Sequence, residues 1–516
     1  MPSPEDYAKR LAKGSAIVFT ALVISGLVGF LLRMFLARSL SVADYGLFYA
    51  VFSLLKFFAL FCDMGLNWAL VKYIPEFQVR GEYGAIRSSI IFVAFFQTIL
   101  AFFFAMMLFI FSNQLALAFF KSETAALLLQ ILSIWLFAIV FYTLIHNVFQ
   151  GFQNMPAYAG MELSWIVLVF FSATLFVGFF GQGIGGVALA YLVATLAMTI
   201  FGLIHLRRRY PQIFKKRGSD TKSLRKKIFF FALPVFIGGL GITILGYTDT
   251  LMITTFRTLP EVGIYQVVLP ITYILWTTAV ALPTVFLPLV SELWARCERK
   301  ILGIILHFLI KFSLVLIIPA ALMFIAFPEI IIRLFFGEGY LEGAAALQIL
   351  SCAAIANTLF AILTSAIGGI GKPTINTKVV GVMACLNFFG NLLLIPPYGI
   401  EGAAVATLCS SIVGVLILFY YTKKFVTFTT PALSIFKALI GGVLTLLLIF
   451  CLKFVIVLPP WPEAFAVTIP SLVFYVVWIL ATKAITKYDL RLVARIVPMP
   501  SWLIRAAGKL MGKIGV

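Results

Sequence analysis

Apolar runs of twenty residues and more recur along the whole of this chain. A segment of about 20 apolar residues is the length of helix that crosses the hydrocarbon core of a bilayer. Fourteen such runs are read: Ser15–Leu36, Tyr45–Tyr73, Ile86–Phe111, Thr124–Val148, Pro156–Phe180, Ile184–Leu206, Ile228–Phe256, Val262–Leu289, Ile301–Phe327, Ala344–Ile370, Thr374–Ile395, Gly402–Tyr421, Leu433–Val457 and Ala464–Ala484. In lipid a backbone must satisfy its own hydrogen bonds, and runs of this length do so as helices. The expected fold class is therefore all-α, a polytopic membrane protein with fourteen transmembrane helices.

Composition agrees: of 516 residues, 62% are hydrophobic and only 11% charged, where a soluble domain carries about 25% charged residues. The formal charge of +20 does not indicate a nucleic-acid partner, because Lys and Arg lie between apolar runs and not on one polar face. They sort instead by side. With the N-terminus in the cytoplasm, the outer loops hold only Arg38, Lys121, Arg257 and Arg333, and most of the other Lys and Arg fall on the cytoplasmic side. The positive-inside rule then puts both termini in the cytoplasm of a cell-membrane protein. Lys9, Arg10 and Lys13 precede a first apolar run too long for a cleaved signal peptide, so it reads as a signal anchor. The six cysteines show no CxxC spacing and read as small packing residues. No metal cluster, phosphate-cradling loop or cofactor motif is found.

The chain also repeats itself. ADYGLFYAV at Ala43 matches PEVGIYQVV at Pro260, with Gly46 opposite Gly263. Phe119–Phe120 match Phe335–Phe336, GFQNMP at Gly151 matches GIGKP at Gly369, and IGGVALA at Ile184 matches IEGAAVA at Ile400. The offsets are 216 to 218 residues. A six-span unit repeated in one orientation predicts two lobes related by a pseudo-two-fold axis along the membrane normal. The organisation expected is an N-terminal six-helix lobe at 1–206, a basic cytoplasmic linker at 207–227, a C-terminal six-helix lobe at 228–425, two extra helices at 426–487 and a basic amphipathic interfacial tail at 488–516. Two six-helix lobes around a cavity suit an alternating-access carrier, expected to be monomeric.

Charged groups inside spans are costly unless they face protein or water, so each is a functional candidate. In span two, at about 100° per residue, Lys56, Asp63 and Asn67 fall within about 20° of each other, with Ser53 about 60° away. Lys56 lies about 16 Å from the outer end of its helix, near the midplane. Span nine carries His307 and, one turn on, Lys311, about 15 Å from the inner end. These five, Lys56, Asp63, Asn67, His307 and Lys311, are the candidate substrate cavity, with the two lysines suited to a diphosphate. The alternatives are a Lys56–Asp63 pair and a Lys311 that bonds a carbonyl. Arg33 and Asp249 are separated by one repeat and both sit near the outer leaflet, as an outer gate pair or as two residues snorkelling to headgroups. Pro234, Gly238, Gly239 and Gly241 in span seven make a hinge candidate. Glu162, Lys437, His146 and His205 lie near inner span ends and read as interfacial.

Ala37–Phe77 (ARSLSVADYGLFYAVFSLLKFFALFCDMGLNWALVKYIPEF) resembles the opening of the polysaccharide-biosynthesis flippases. Ile367–Ile412, with its GKP turn, Asn387 and Asn391, and the IPPYGIEGAA stretch, is similar to a later block of the same family. That family belongs to the multidrug/oligosaccharidyl-lipid/polysaccharide exporter superfamily. The resemblance implies a pair of six-helix bundles that moves a polyprenyl-diphosphate oligosaccharide from the cytoplasmic to the outer leaflet, with membrane lipids as its other partners. Related families flip the peptidoglycan lipid precursor or export cationic drugs, and both readings stay open. A membrane glycosyltransferase or polymerase is the distant alternative; without carboxylate pairs or a large outer loop, the chain is not expected to be an enzyme. With no ATP site, energy comes from an ion gradient (Na+ or H+), the membrane potential or consumption of product.

Overall fold

A computed structural model describes residues 4–215, 222–426, 432–456 and 458–485. The expected interfacial tail at 488–516 and the centre of the basic linker lie outside the described residues. Among those described the chain is helical throughout, without a strand.

The helices follow in order as α1 (Pro4–Ser39), α2 (Val42–Asp63), α3 (Leu66–Val79), α4 (Tyr83–Ile110), α5 (Ser112–Ala118), α6 (Thr124–Gly151), α7 (Met155–Ala173), α8 (Gly183–Arg209) and α9 (Pro211–Lys215). After them come α10 (Lys222–Phe256), α11 (Leu259–Ala295), α12 (Arg299–Ala326), α13 (Pro328–Phe335), α14 (Ala344–Gly369), α15 (Pro373–Phe425), α16 (Ala432–Val455) and α17 (Pro460–Ala481). Twelve helices among the described residues are long and apolar enough to cross a membrane, and the protein is a multi-pass membrane protein. One of the twelve, α15, has 53 residues. At about 1.5 Å per residue it is far longer than a bilayer is thick. It turns at Gly399, whose φ of 59° and ψ of −132° are not helical. Just beyond the turn Gly402 is pressed against Leu394, where a Cβ would lie 2.2 Å from the carbonyl oxygen.

Packing divides the chain into two compact units, Met1–Gln266 and Val267–Val516. The division falls within α11 and not at the basic linker, so α10 packs in the first unit, against α2, α3 and α4. In this unit α6 is central, with α2, α3, α4 and α8 around it, and α1 packs on α7. Trp135 on α6 is fully buried and donates its indole N–H to Thr195 Oγ1 at 3.0 Å; Trp165 donates to the same oxygen at 3.0 Å. Both large rings are thus fixed with their polar edges satisfied.

In the second unit α14 packs on α12 and on α15, and the α16–α17 pair docks on α12. Two lysines hold that pair by helix ends: Lys453 donates to Ala326 O at the end of α12 (2.7 Å), and Lys437 donates to Thr482 O just past α17. A lysine at a helix C-terminus meets carbonyls that have no partner within the helix.

The segments matched by the internal repeat occupy corresponding places in the order of elements. Phe119–Phe120 follow the short α5 and Phe335–Phe336 close the short α13, and Phe120 and Phe336 are both buried. Gly46 on α2 and Gly263 on α11 lie against each other: a Cβ on Gly46 would stand 2.0 Å from Leu259 O, and one on Gly263 would stand 2.3 Å from Val42 O.

Two expectations are corrected. All six cysteines are free, and only Cys62 is buried. Cys297, Cys352, Cys385, Cys409 and Cys451 are exposed at the protein surface and do not fill its core, because an apolar run in lipid needs no inward face for a thiol. The second span is also not one helix. It breaks at Met64 and Gly65, both at positive φ (44° and 75°), and resumes as α3.

The break is seated on α10, and a Cβ at Gly65 would meet Ala232 O at 2.5 Å. Gly65→Ala is therefore expected to lower the unfolding temperature of the detergent-solubilised protein. The left-handed backbone alone costs a side chain about 1–2 kcal/mol. Gly239→Ala, on the facing surface of α10, is the control: its Cβ would meet Leu60 at an ordinary 3.4 Å, and melting should stay close to wild type. Equal melting of the two variants would contradict this account of the break.

Candidate functional site

A break between two helices frees backbone N–H groups at the start of the second that have no partner within the helix. Asp63, the last residue of α2, supplies the partner: its Oδ2 accepts from Gly65 N at 3.2 Å and its Oδ1 from Asn67 N at 3.3 Å. Gln97 on α4 adds an amide N–H to Oδ1 at 2.9 Å. The carboxylate thus takes up N–H groups at the start of α3 from two residues before its N-cap, Gly65, and is held by three N–H donors.

Beside it is a cavity of about 310 Å³, lined by Lys56 and Asp63 of α2, Asn67 of α3, Gln97 of α4, His146 and Gln150 of α6, and Tyr158 of α7. Lys56, Asp63 and Asn67 do share one cavity, although the single helical stripe expected of them is interrupted by the break. Asn67 reaches it because the chain restarts there. The Oδ1 of Asn67 and the Oε1 of Gln97 are buried without a hydrogen-bond partner.

Lys56 has no carboxylate within ion-pair distance among the described residues, so it does not pair with Asp63. Its ammonium lies 5.2 Å from the ring centres of both Phe52 and Trp135. Ring faces attract a cation without neutralising it. The cavity therefore holds one carboxylate that accepts three N–H groups and one lysine without an ion pair among the described residues.

The interfacial placement expected of His146 is not found. The ring is buried in the cavity wall between those of Tyr142 (5.7 Å) and Tyr158 (4.0 Å), both stacked on it. Its Nε2 lies 3.1 Å from Tyr158 O and 3.8 Å from Glu162 Oε2, and Glu162 also accepts from the Tyr142 hydroxyl at 3.3 Å. The spacing of Tyr142 and His146, one turn apart on a helix, is the available sequence signal. Nothing along the sequence shows that α7 brings Tyr158 and Glu162 to them. Gln97, in the middle of a run of Phe, Ala and Ile, is the other residue that sequence reasoning misses.

Lys311 is buried on α12 in the second unit, with His307 half-buried one turn before it. Neither lines this cavity, whose residues all belong to the first unit. Arg33 donates through Nη1 to Gln266 O (3.0 Å) and Gln266 Oε1 (3.3 Å), and its guanidinium lies 4.4 Å from the centre of the Tyr49 ring. Asp249 is buried and accepts from the Tyr265 hydroxyl at 2.7 Å, while Gln266 Nε2 donates to Thr250 Oγ1 at 2.7 Å. Arg33 and Asp249 thus hold adjacent residues of α11. Pro234, Gly238, Gly239 and Gly241 lie within α10, which is helical over 35 residues.

A multi-pass helical protein with a partly uncompensated cation in a cavity among its spans has the anatomy of a transporter. Residues 11–294 match the model of the polysaccharide biosynthesis protein family, and residues 267–477 match that of the lipid II flippase MurJ. The chain belongs to the polysaccharide biosynthesis protein family. It is 32% identical over 413 residues, 78% of this chain and 82% of the relative, to the uncharacterized membrane protein MJ1068 of Methanocaldococcus jannaschii. It is 25% identical over 431 residues, 81% of this chain and 84% of the relative, to the probable low-salt glycan biosynthesis flippase Agl15 of Haloferax volcanii. Its fold is similar to that of a solved structure described as lipid II flippase MurJ, inward closed conformation (TM-score 0.74, 16% identity, 90% of this chain and 99% of that one). It also matches an inward-facing multidrug resistance MATE family transporter of the MOP superfamily (TM-score 0.63, 17% identity, 78% of this chain and 94% of that one).

If Asp63 holds the start of α3, its shape matters more than its charge. Asp63→Ala should destabilise the protein in detergent by about 0.5–2 kcal/mol, the usual cost of a lost N-cap. Asp63→Asn keeps one acceptor oxygen but turns an NH2 toward the remaining donor, so it should recover only part of the loss. An Asn variant that melts as low as the Ala variant would refute the capping role.

Proposed function

We propose that the protein is an alternating-access flippase that moves a lipid-linked, polyprenyl-diphosphate oligosaccharide from the cytoplasmic to the outer leaflet for polysaccharide or glycan synthesis. The observation that carries this reading is Lys56: a lysine on an apolar helix, in a cavity, with two aromatic rings beside it and no carboxylate within ion-pair distance among the described residues. A diphosphate is the anion that best repays its desolvation. The relation to Agl15, described as a glycan biosynthesis flippase, supports a glycolipid cargo.

The chain makes fourteen crossings in this reading: the twelve apolar helices, with α15 counted as two spans about Gly399, and α11. They form two repeats of six, plus α16 and α17. Sorting of Lys and Arg supports cytoplasmic termini. Lys311 on α12 serves in the second repeat as Lys56 does in the first. Arg33 and Asp249 form the outer gate, closing through their contacts to Gln266 and Tyr265, and the Pro234–Gly241 stretch of α10 is the hinge. Transport is driven by an ion gradient (Na+ or H+) or by the membrane potential. A second reading, the peptidoglycan lipid precursor as cargo, is favoured by the MurJ model match over 267–477 and needs the same diphosphate chemistry. A cationic drug is disfavoured, since the free charge of the cavity is positive.

The test is leaflet transfer of a fluorescent polyprenyl-diphosphate sugar by the reconstituted protein, with and without an ion gradient. Loss of a hydrogen bond to a charged group costs about 1.5–3 kcal/mol, so Lys56→Ala and Lys311→Ala should each cut transfer by roughly ten- to a hundredfold. Unchanged transfer in the double variant would overturn the assignment. For the gate, Arg33→Ala and Tyr265→Phe remove the two contacts to α11 and should each cut transfer about tenfold; unchanged transfer in both would remove the gate.

A further inference from the structure

Beyond the cavity, at the end of α6, the first unit holds a second and chemically different recess. It is a crevice of about 420 Å³ between the end of α3, the α6–α7 turn and the α8–α9 junction. Its lining is dominated by neutral amides, those of Gln78, Gln153, Asn154 and Gln212, together with Arg209 and the ring of Tyr210. Tyr210 is stacked on buried Phe152 at 4.1 Å and takes an amide N–H from Asn154 at 3.4 Å, so this wall is fixed. The side chains of Gln78, Gln153, Gln212 and Arg209 make no hydrogen bond among the described residues and are exposed to the crevice.

We infer that this crevice is a carbohydrate subsite that grips the sugars of the same cargo whose diphosphate sits at Lys56, an inference that rests on the flippase reading. A sugar hydroxyl is at once donor and acceptor, and an amide side chain presents both groups in one plane. Arg209 adds a rigid fork of donors suited to neighbouring hydroxyls. The volume is in the range of about 300–1,000 Å³ in which small ligands are held.

The position fits one extended headgroup. Gln150 lines the cavity and Phe152, the C-cap of the same helix, lines the crevice, so both recesses have a wall at this end of α6. Along α6 the distance from Trp135, which faces Lys56, to Gly151 is sixteen residues, about 24 Å. A single sugar on the diphosphate is too short to span it, and a chain of several sugars is not.

The experiment measures leaflet transfer by the full reconstituted chain of two probes. One is a fluorescent polyprenyl diphosphate bearing a single N-acetylglucosamine, and the other bears a chito-oligosaccharide. Gln78 and Gln212 are exposed on helices, so the double variant Gln78→Ala/Gln212→Ala is expected to fold, with its melting temperature as the control. It should raise the concentration for half-maximal transfer of the long-chain probe about tenfold, with the maximal rate unchanged and the single-sugar probe unaffected. Wild-type transfer of both probes with no change in the variant would overturn the subsite and leave the flippase reading intact. An equal change for both probes would also overturn it, since that marks a contact to lipid headgroups or to the fold. No transfer of either probe by the wild type overturns the flippase reading and this inference with it.

Discussion

The arrangement of the first unit depends on how the chain passes from α2 to α3. The first N–H groups of a helix have no partner within it, so a break packed against other helices must bring its own. Asp63 is that partner, and its two oxygens close the N-terminus of α3 while Gln97 holds the carboxylate from α4. Once Asp63 is committed in this way it no longer balances Lys56. The same local event therefore makes the break tolerable, opens the cavity beside it and leaves a cation unneutralised there.

The surroundings of Lys56 keep it available. Phe52 and Trp135 attract the ammonium through their ring faces, and Thr195 fixes Trp135 from behind by accepting its indole N–H. A carboxylate in their place would form a buried ion pair, which takes up no anion without first being broken. The remaining acid near the cavity, Glu162, is engaged by Tyr142 and lies near His146. The two acids at the cavity are thus held by hydrogen-bond donors of the protein, and its polar wall is assembled chiefly from Tyr, His and amide groups.

Much of this is legible in the amino-acid sequence. Apolar runs mark the spans, and the polar residues of span two point to one cavity. The repeat picks out Gly46 and Gly263, which are in contact. What the sequence conceals has a physical cause. Periodicity assumes an unbroken helix, and Asp63-Met64-Gly65 carries only the weak signal of a glycine two residues after an acid; the cap becomes visible when Gln97 is seen across from it. His146 and Glu162 come from different helices, so neither spacing nor hydropathy connects them. The cysteines mislead because hydrophobicity signals burial in water and says nothing about which face of a helix meets lipid.

The repeat also shows why some matched positions agree and others do not. Gly46 and Gly263 touch each other, and a side chain on either would strike the backbone of the opposite helix, so each copy needs the other to remain glycine. Arg33 and Asp249 are matched as well, but their contacts run to different groups: a guanidinium to the carbonyl and amide of Gln266 and over Tyr49, a carboxylate to the hydroxyl of Tyr265. Matched residues with different partners are free to differ, even to the point of opposite charge. The chain in this way keeps a tight backbone crossing between α2 and α11 while the polar groups around Arg33 and Asp249 differ.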